Sequence, residues 1–376
     1  MALVRRGGWA VRIVFLTDDW AVAHGQWFPA GGCFYRCMLP RNAAGAAAKV
    51  SSPVWAAEYG FGTDNRDGTA TFGFDLVVLK NLFQRWIPAQ IQAAQELGQR
   101  VIIDVDDLYS DIHDANVAKG LLDPATNKVR NWDHYDETIR VADAVTVSTP
   151  KLLEAYGPIA CDIRLIRNGI SPVQFSPIKH VKARKPVLGW AGGMGWRSND
   201  IEELRPWLND FLEEHDLQFH HVGSDPGQPV FSDVAGVDPS RMILTGMQPI
   251  ATYASALTFD IGLVPLADIP FNHAKSNIKG LEYAAAGIPF VASYSPEYQR
   301  LSDMGVGHIA RTAADWQAEL TALLDFDVRR KEATRQRKLV LSQHTIRETA
   351  PDWVRLFRDV AGNCRVPTVR LKYVAI

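Results

Sequence analysis

Short apolar runs rich in β-branched residues alternate with amphipathic stretches along the whole chain. In the first half the runs are VRIVFLTD (11–18), FDLVVLKN (74–81), RVIIDVDD (100–107), AVTVS (144–148) and DIRLIRNG (162–169). Helical spacing lies between them, as in QRWIPAQIQAAQEL (84–97) and NWDHYDETIRVAD (131–143). The pattern then begins afresh with VLGWAG (187–192), LQFHHVG (217–223), MILTG (242–246), DIGLVPL (260–266), PFVAS (289–293) and GHIA (307–310). Apolar strands separated by helices predict βαβ units and parallel sheets covered on both faces. The stretch NGISPVQFSPIKHVKARKP (168–186) has three prolines and no periodicity, and it separates the two series. The expected fold class is therefore α/β, with two doubly wound, Rossmann-like domains facing each other across a cleft. The expected boundaries are an N-terminal domain at 1–172, a linker at 173–185, a second domain at 186–345, and a C-terminal helix and tail at 346–376 packing back on the first domain. Ligands of such sheets bind beyond the carboxyl ends of the strands, so the strand-end loops are where chemistry is sought.

Composition narrows this picture only a little. At 376 residues the chain exceeds a single core of common size. Lys and Arg number 40 against 42 Asp and Glu, a net charge of −2, which gives no global attraction to nucleic acid or anionic membrane. Cys33, Cys37, Cys161 and Cys364 match no zinc or redox spacing, and they read as buried, inert thiols in a reducing compartment. VRIVFL is too short to span a bilayer, and nothing downstream reaches the ~18 apolar residues a transmembrane helix needs. The expected location is cytoplasmic without stable membrane insertion, any membrane contact being peripheral at the inner face. Of the eleven tryptophans, Trp20, Trp27, Trp86 and Trp132 fall in loops or helix starts of the first half, where sugars or bases can stack, but most of the eleven read as packing residues.

Candidate chemistry begins at FNHAKSNIKGLEYAAAGIPFVAS (271–293). Lys275, Lys279 and Glu282 follow i, i+4, i+7 spacing and share a face if one helix carries all three. Two lysines at a helix start oppose the backbone dipole, which favours negative charge there. With Ser276 as N-cap, the first-turn amides and a lysine form a receptor for phosphate. The alternative is a solvated face with a Lys279–Glu282 pair worth a few tenths of a kcal/mol.

The run Leu281-Glu282-Tyr283-Ala284-Ala285-Ala286-Gly287-Ile288-Pro289-Phe290-Val291-Ala292-Ser293 resembles the donor-binding motif of GT-B glycosyltransferases of the group 1, family 4-like class. Leu188–Arg197 resembles the glycine-rich loop after the first strand of that family's donor domain. Thr245-Gly246-Met247 resembles its nucleobase turn, and Pro29-Ala30-Gly31-Gly32 its N-domain Gly-Gly loop. The resemblance implies a nucleoside-diphosphate-sugar-dependent glycosyltransferase, retaining and metal-independent, needing no cofactor besides the nucleotide sugar as co-substrate. It implies that Glu282 holds the ribose hydroxyls and that Lys275, Ser276 and Asn277 cradle the diphosphate. It further implies donor contacts from Gly32, Gly192, Gly193, Arg197 and Met247. The family's first motif Glu falls here at Ala274, a departure at the residue that contacts the transferred sugar.

Catalytic candidates in the first half are Asp106 and Asp107 at the end of VIIDVDD, placed to orient or deprotonate an acceptor hydroxyl, and His24 after the first strand. Asp104, Asp106 and Asp107 also spell a metal-binding Asp-x-Asp, and each aspartate also suits a turn cap. His220 and His221 alternate on a strand and so cannot share a ligand. The expected partners are a nucleotide sugar and an acceptor: a glycan or lipid-linked sugar by default, a protein side chain or hydroxylated DNA base otherwise. Arg329, Arg330, Lys331, Arg335, Arg337 and Lys338 form either a basic contact surface or one solvated helix face. The competing readings are a non-catalytic nucleotide-sugar-binding protein and a sugar-nucleotide epimerase.

Overall fold

A computed structural model describes the chain apart from residues 1–4, 7–8, 24–25, 46–47, 362–368 and 373–376. His24 and Cys364 lie outside the described residues. The chain divides into two compact units, one made of residues 1–110, 120–169 and 346–376, the other of 111–119 and 170–345. Each is built on its own six-stranded parallel sheet.

In the first unit the strands are β1 (Ile13–Thr17), β2 (Ala48–Ser51), β3 (Leu76–Lys80), β4 (Arg100–Val105), β5 (Ala144–Val147) and β6 (Ile163–Leu165). Their order across the sheet is β6-β5-β4-β3-β1-β2, so chain direction reverses between β1 and β3. Every residue of β1, β3 and β5 is buried, as expected of strands covered on both faces. One face receives a continuous helical run, Gly31–Ala44, whose central Phe34–Met38 turn is a π-helix. The C-terminal helix Ile346–Val360 joins the same core: Trp353, Leu356 and Phe357 are buried with Ile13, Phe15, Cys33 and Cys37, and Phe357 meets Phe15 edge-on at 5.8 Å. Cys33 and Cys37 are buried as expected, but Cys161 is exposed, its thiol donating to the Ala142 carbonyl at the start of β5. A four-stranded antiparallel sheet (Pro53–Ala56, Gly60–Asp64, Thr69–Phe72 and Val369–Lys372) completes the unit.

The second unit contains β7 (Val187–Ala191), β8 (Gln218–Ser224), β9 (Met242–Gly246), β10 (Ile261–Val264), β11 (Phe290–Ser293) and β12 (His308–Ala310). Their order is β9-β8-β7-β10-β11-β12, the 3-2-1-4-5-6 arrangement of dinucleotide-binding sheets, with the reversal between β7 and β10. Leu188, Trp190, Phe219, Ile261, Leu263 and Val291 fill its core, and Trp207 stacks on Trp316 at 5.5 Å. Residues 173–185 carry little regular structure and are tied to this unit: Gln174 donates to the Ile250 carbonyl, His180 bonds the Gly287 carbonyl, and Arg184 pairs with Asp260 at 2.8 Å.

The basic run of the helix Phe326–Gln343 is not one solvated face. Arg329 is buried and donates to the Leu323 and Leu324 carbonyls, and Arg337 donates to those of Ala285 and Phe175. With Arg335, which donates to the Gly305 carbonyl, half of this charge closes helix ends and chain crossings. Among the described residues no helix is long and apolar enough to cross a membrane.

Phe357→Ala removes a fully buried ring from the first unit. It is expected to lower stability by about 3–5 kcal/mol, read as a displaced denaturation midpoint at constant slope.

Candidate active site

The second unit's candidate site sits at the carboxyl ends of β7 and β10, where its sheet reverses. After β7 the chain turns through Gly192 and Gly193 into a 3-10 turn, Met194–Trp196, and a short helix, Ser198–Glu202. The loop is held from several sides. Gly192 donates to the Val222 carbonyl, and His221 bonds the Gly192 carbonyl at 2.9 Å while stacking on Trp190. Gly223 has a φ of +114° and lies against the Gly192 backbone, where a Cβ would come within 2.6 Å of the carbonyl oxygen. A side chain there is excluded twice, by conformation and by contact. Residue Val117, from the segment Asp111–Lys119, donates its N–H to the Gly195 carbonyl at 3.1 Å.

After β10 come a helical turn, Pro270–His273, and the helix Ile278–Ala285. The latter begins one residue later than Ser276 as N-cap requires. Asn277 stands at the cap, and its side chain donates instead to the Glu297 carbonyl. Lys275 therefore precedes the helix, and the three-residue face expected of Lys275, Lys279 and Glu282 does not form.

The two lysines have separate surroundings. Lys275 is buried, 3.4 Å from Asp200 Oδ2, hydrogen-bonded to Asn272 Oδ1 and 4.4 Å above the Phe271 ring. Asp200 also accepts from the Ala267 N–H at 3.1 Å and from Asn272 Nδ2 at 2.6 Å, with Arg197 at 3.5 Å. The loops after β7 and β10 are thus stapled together through one carboxylate. Lys279 instead lies 3.7 Å from Glu282 Oε2 and 3.5 Å from the Tyr253 hydroxyl. Tyr253 donates to Glu282 Oε2 at 2.8 Å. Burial pushes the Lys279 ammonium below its ordinary range; Glu282 counters this and Arg197 adds to it. The Arg197 guanidinium, itself 3.5 Å from Asp200, thus disfavours the charge on Lys279, which Glu282 favours. An anion between the two cations relieves that repulsion. One turn along the same helix, the Tyr283 hydroxyl accepts the Ala191 N–H at 2.8 Å, fixing the helix to the strand that feeds the glycine loop.

Other expected donor contacts are dispersed. Met247 follows β9, half-buried, its N–H bonded to the Ser224 carbonyl. Ala274, in place of the first motif Glu, is buried. His273 bonds Asp268 Oδ1 at 2.6 Å. His220 and His221 have different partners, Thr245 for the first and Gly192 for the second, in keeping with alternation.

The first unit has a cluster at its own reversal point. Lys80, the last residue of β3, is fully buried with its ammonium 2.6 Å from Asp106 Oδ2. Asp106 also accepts from the Tyr109 hydroxyl at 2.8 Å. A Cβ on Gly32 would collide with Asp19 Oδ2 and stand 3.1 Å from both Asp106 Oδ2 and Lys80 Cε, so these three side chains converge on one glycine. Burial alone pushes Lys80 down, but the carboxylates of Asp106, Asp19 and Asp104 hold it above its ordinary value. Burial pushes Asp106 up, and Lys80 with Tyr109 and Arg36 brings it below the usual carboxylate range. Asp19 stays raised: burial dominates, Lys80 opposes it, and Asp106 reinforces it.

Asp104 has other work. Its carboxylate, fully buried, accepts from Arg36 at 2.6 Å and from Thr146 at 2.6 Å. Arg36 reaches it from the π-helical turn, with a second bond to the Ile166 carbonyl. Asp107 is half-buried, and its carbonyl accepts from the Tyr156 hydroxyl. Among the described residues no group of three His, Cys, Asp or Glu side chains is arranged to hold a metal.

Compared with solved structures, the chain is similar over most of its length to GT-B glycosyltransferases. Sucrose-phosphate synthase from Thermosynechococcus elongatus matches with a TM-score of 0.62 at 16% identity, over 93% of this chain and 98% of that one. Anabaena HepE, in complex with UDP and glucose, matches with a TM-score of 0.62 at 14% identity, over 92% and 99%. A glycosyltransferase from Rickettsia africae matches with a TM-score of 0.56 at 12% identity, over 77% and 78%. No family model and no curated protein sequence matches. The chain has the GT-B fold, with its two Rossmann-like units.

Lys275→Ala takes the buried ammonium from Asp200 and leaves it Arg197 alone as a cation, an expected loss of about 3 kcal/mol, the low end for breaking a buried pair. Lys279→Ala takes the cation from Glu282, which keeps its Tyr253 bond, but also removes a desolvated ammonium repelled by Arg197, so the expected loss is smaller, about 1 kcal/mol or less. Parallel thermal melts of the two variants separate a lysine that holds the loops from one that faces a ligand.

Proposed function

We propose that the protein transfers a sugar from a nucleoside-diphosphate sugar to an acceptor hydroxyl. The observation that carries this reading is the arrangement of Glu282, Lys279 and Arg197 beside a glycine loop at the reversal point of a 3-2-1-4-5-6 sheet. Glu282, oriented by Tyr253, accepts the ribose hydroxyls. Lys279 and Arg197 meet the diphosphate, helped by the N–H groups of Gly193, Ser276 and Asn277 and by the positive end of the helix Ile278–Ala285, while Gly192, its N–H held by the Val222 carbonyl, gives the backbone room to approach. Met247 meets the nucleobase through its backbone. In this reading Lys275 acts on the diphosphate indirectly, by holding Asp200 and so the loops.

In the reaction the bond from the anomeric carbon to the β-phosphate oxygen breaks and a bond to the acceptor oxygen forms. The acceptor proton leaves on the departing diphosphate. Fixed cations and amides stabilise the charge growing on that leaving group, each such donor being worth about 3 kcal/mol of barrier. They serve where other enzymes use a metal, and the reading includes metal independence. Asp106, kept acidic by Lys80 and Tyr109, is a poor proton acceptor but a good hydrogen-bond acceptor, so it orients the acceptor hydroxyl, with Asp107 beside it and Gly32 giving access. The leaving phosphate oxygen is then the base. It lies on the face the leaving group departs from, which favours retention of anomeric configuration.

Thermal melts with UDP, GDP, ADP, CMP and dTDP, with and without EDTA, test the donor half. One diphosphate at a hundred times its Kd adds about 2.7 kcal/mol to stability, a clear midpoint rise that EDTA is expected to leave unchanged. Glu282→Gln should abolish that rise without unfolding the protein; an unaltered response removes Glu282 from the ribose. No rise with any nucleotide overturns the reading.

The pH dependence carries a sign. Lys279 must be protonated to hold a diphosphate, and its depressed pKa means the proton is lost below the ordinary lysine value of about 10.4. Affinity should fall as pH rises toward that value, and Lys279→Arg, which keeps its charge, should flatten the titration.

A further inference from the structure

The first unit's charge cluster says more about the acceptor than the position of Asp106 alone. We infer that the acceptor is an uncharged saccharide, two of whose hydroxyls are gripped by Asp19 and Asp106 while Lys80 holds both carboxylates in place. This rests on the transferase reading and names the substrate class for it.

The argument starts from hydrogen-bond capacity. An ionised carboxylate only accepts, so two carboxylates meeting over one glycine present a receptor for two O–H donors. Neighbouring hydroxyls on a sugar ring supply such donors in fixed geometry. Lys80 has no exposed surface and touches no ligand; it is a positioning residue whose single charge is shared by Asp106 and Asp19. Asp106 keeps about a fifth of its side chain exposed, so the receptor is open on one side.

The charge balance at this rim disfavours a polyanion, a further cation, Arg130, lying over the Phe83 ring at 5.5 Å. Asp18, Asp19, Asp106 and Asp107 stand at the strand ends against Lys80, which is already paired. Arg36 is spent on Asp104, and Arg66 lies over the Trp20 ring at 5.2 Å. A phosphodiester backbone approaching four carboxylates is repelled, whereas a neutral polyol is not.

An apolar surface rises from the same place. The antiparallel pair Trp20–Ala23 and Gln26–Pro29 begins one residue after Asp19 and ends three before Gly32, its base closed by the Ala30 N–H on the Asp19 carbonyl. Val22 and Trp27 face each other across it, 47% and 67% exposed. Sugar rings are polar at their edges and apolar on their faces. An exposed indole on the hairpin that starts beside Asp19 suits the apolar face of such a ring, as the two carboxylates suit its polar edge.

The test uses the full chain and tryptophan fluorescence, titrating a panel of neutral disaccharides and, separately, single-stranded and duplex DNA containing hydroxymethylcytosine. The expected result is saturable quenching by at least one disaccharide, unaffected by salt. Asp19→Asn should weaken it about tenfold or more, the loss of one charge-assisted hydrogen bond, while the thermal response to nucleoside diphosphate stays as in the unaltered chain. Trp27→Ala, at an exposed position, should weaken sugar binding likewise with no effect on folding. Silence toward every sugar overturns the inference. So does sugar binding indifferent to both substitutions, or DNA binding that falls steeply with salt. A chain that answers a diphosphate but no sugar keeps the transferase reading and loses this one; a chain that answers no diphosphate loses the transferase reading itself.

Discussion

Asp200 is where the second unit's loops acquire a common shape. A carboxylate with almost no exposed surface is untenable alone, and its surroundings supply an ammonium, a guanidinium, a side-chain amide and a backbone N–H. Three of those four partners come from beyond β10, whereas Asp200 itself follows β7. The position of each loop is therefore a condition of the other's. This also accounts for positive charge ahead of a helix that disfavours it. Lys275 answers a protein anion, and in the proposed reading it is Lys279, with Arg197, that addresses an external one.

The first unit solves the same problem with different parts. Two carboxylates at the end of β4, Asp104 and Asp106, each have a buried cation, Arg36 for one and Lys80 for the other. Arg36 is exhausted by its partners and serves the frame. Lys80 is divided between competing carboxylates, which holds Asp106 below the usual carboxylate range while burial keeps Asp19 above it. Buried charge of this kind is poor ballast for stability, but it holds polar groups at fixed positions, as a site for a small polar ligand requires.

What could be read from the residues follows from how local each signal is. The strands IVFLT, LVVLK and VLGWA announce themselves because both faces are buried and nothing polar interrupts them. Ala48–Ser51 does not, being a short edge strand with an exposed Lys49, and the meander from Pro53 to Phe72 mixes glycine and threonine with no sustained alternation. Glu282 was legible through a contiguous motif, and Lys279 through its spacing from it. Asp200, Asp19 and Lys80 were not, because their meaning lies in partners distant along the chain, 75 residues away for Asp200 and Lys275. The start of the helix at Ile278 was misjudged for the same reason: the Asp200–Asn272 bond holds the preceding turn, and local capping rules do not see it.

The segment Asp111–Lys119 leaves the first unit's span to complete the second, and the helix Ile346–Val360 leaves the second's to complete the first. Neither unit is a contiguous stretch of chain. During synthesis the first sheet emerges early yet lacks Trp353, Leu356 and Phe357 until the second unit's residues have left the ribosome. The second unit's glycine loop, by contrast, finds its Val117 partner already made. The order of completion is thus the reverse of the order of translation, and the N-terminal half must persist as an unfinished core while the C-terminal half folds.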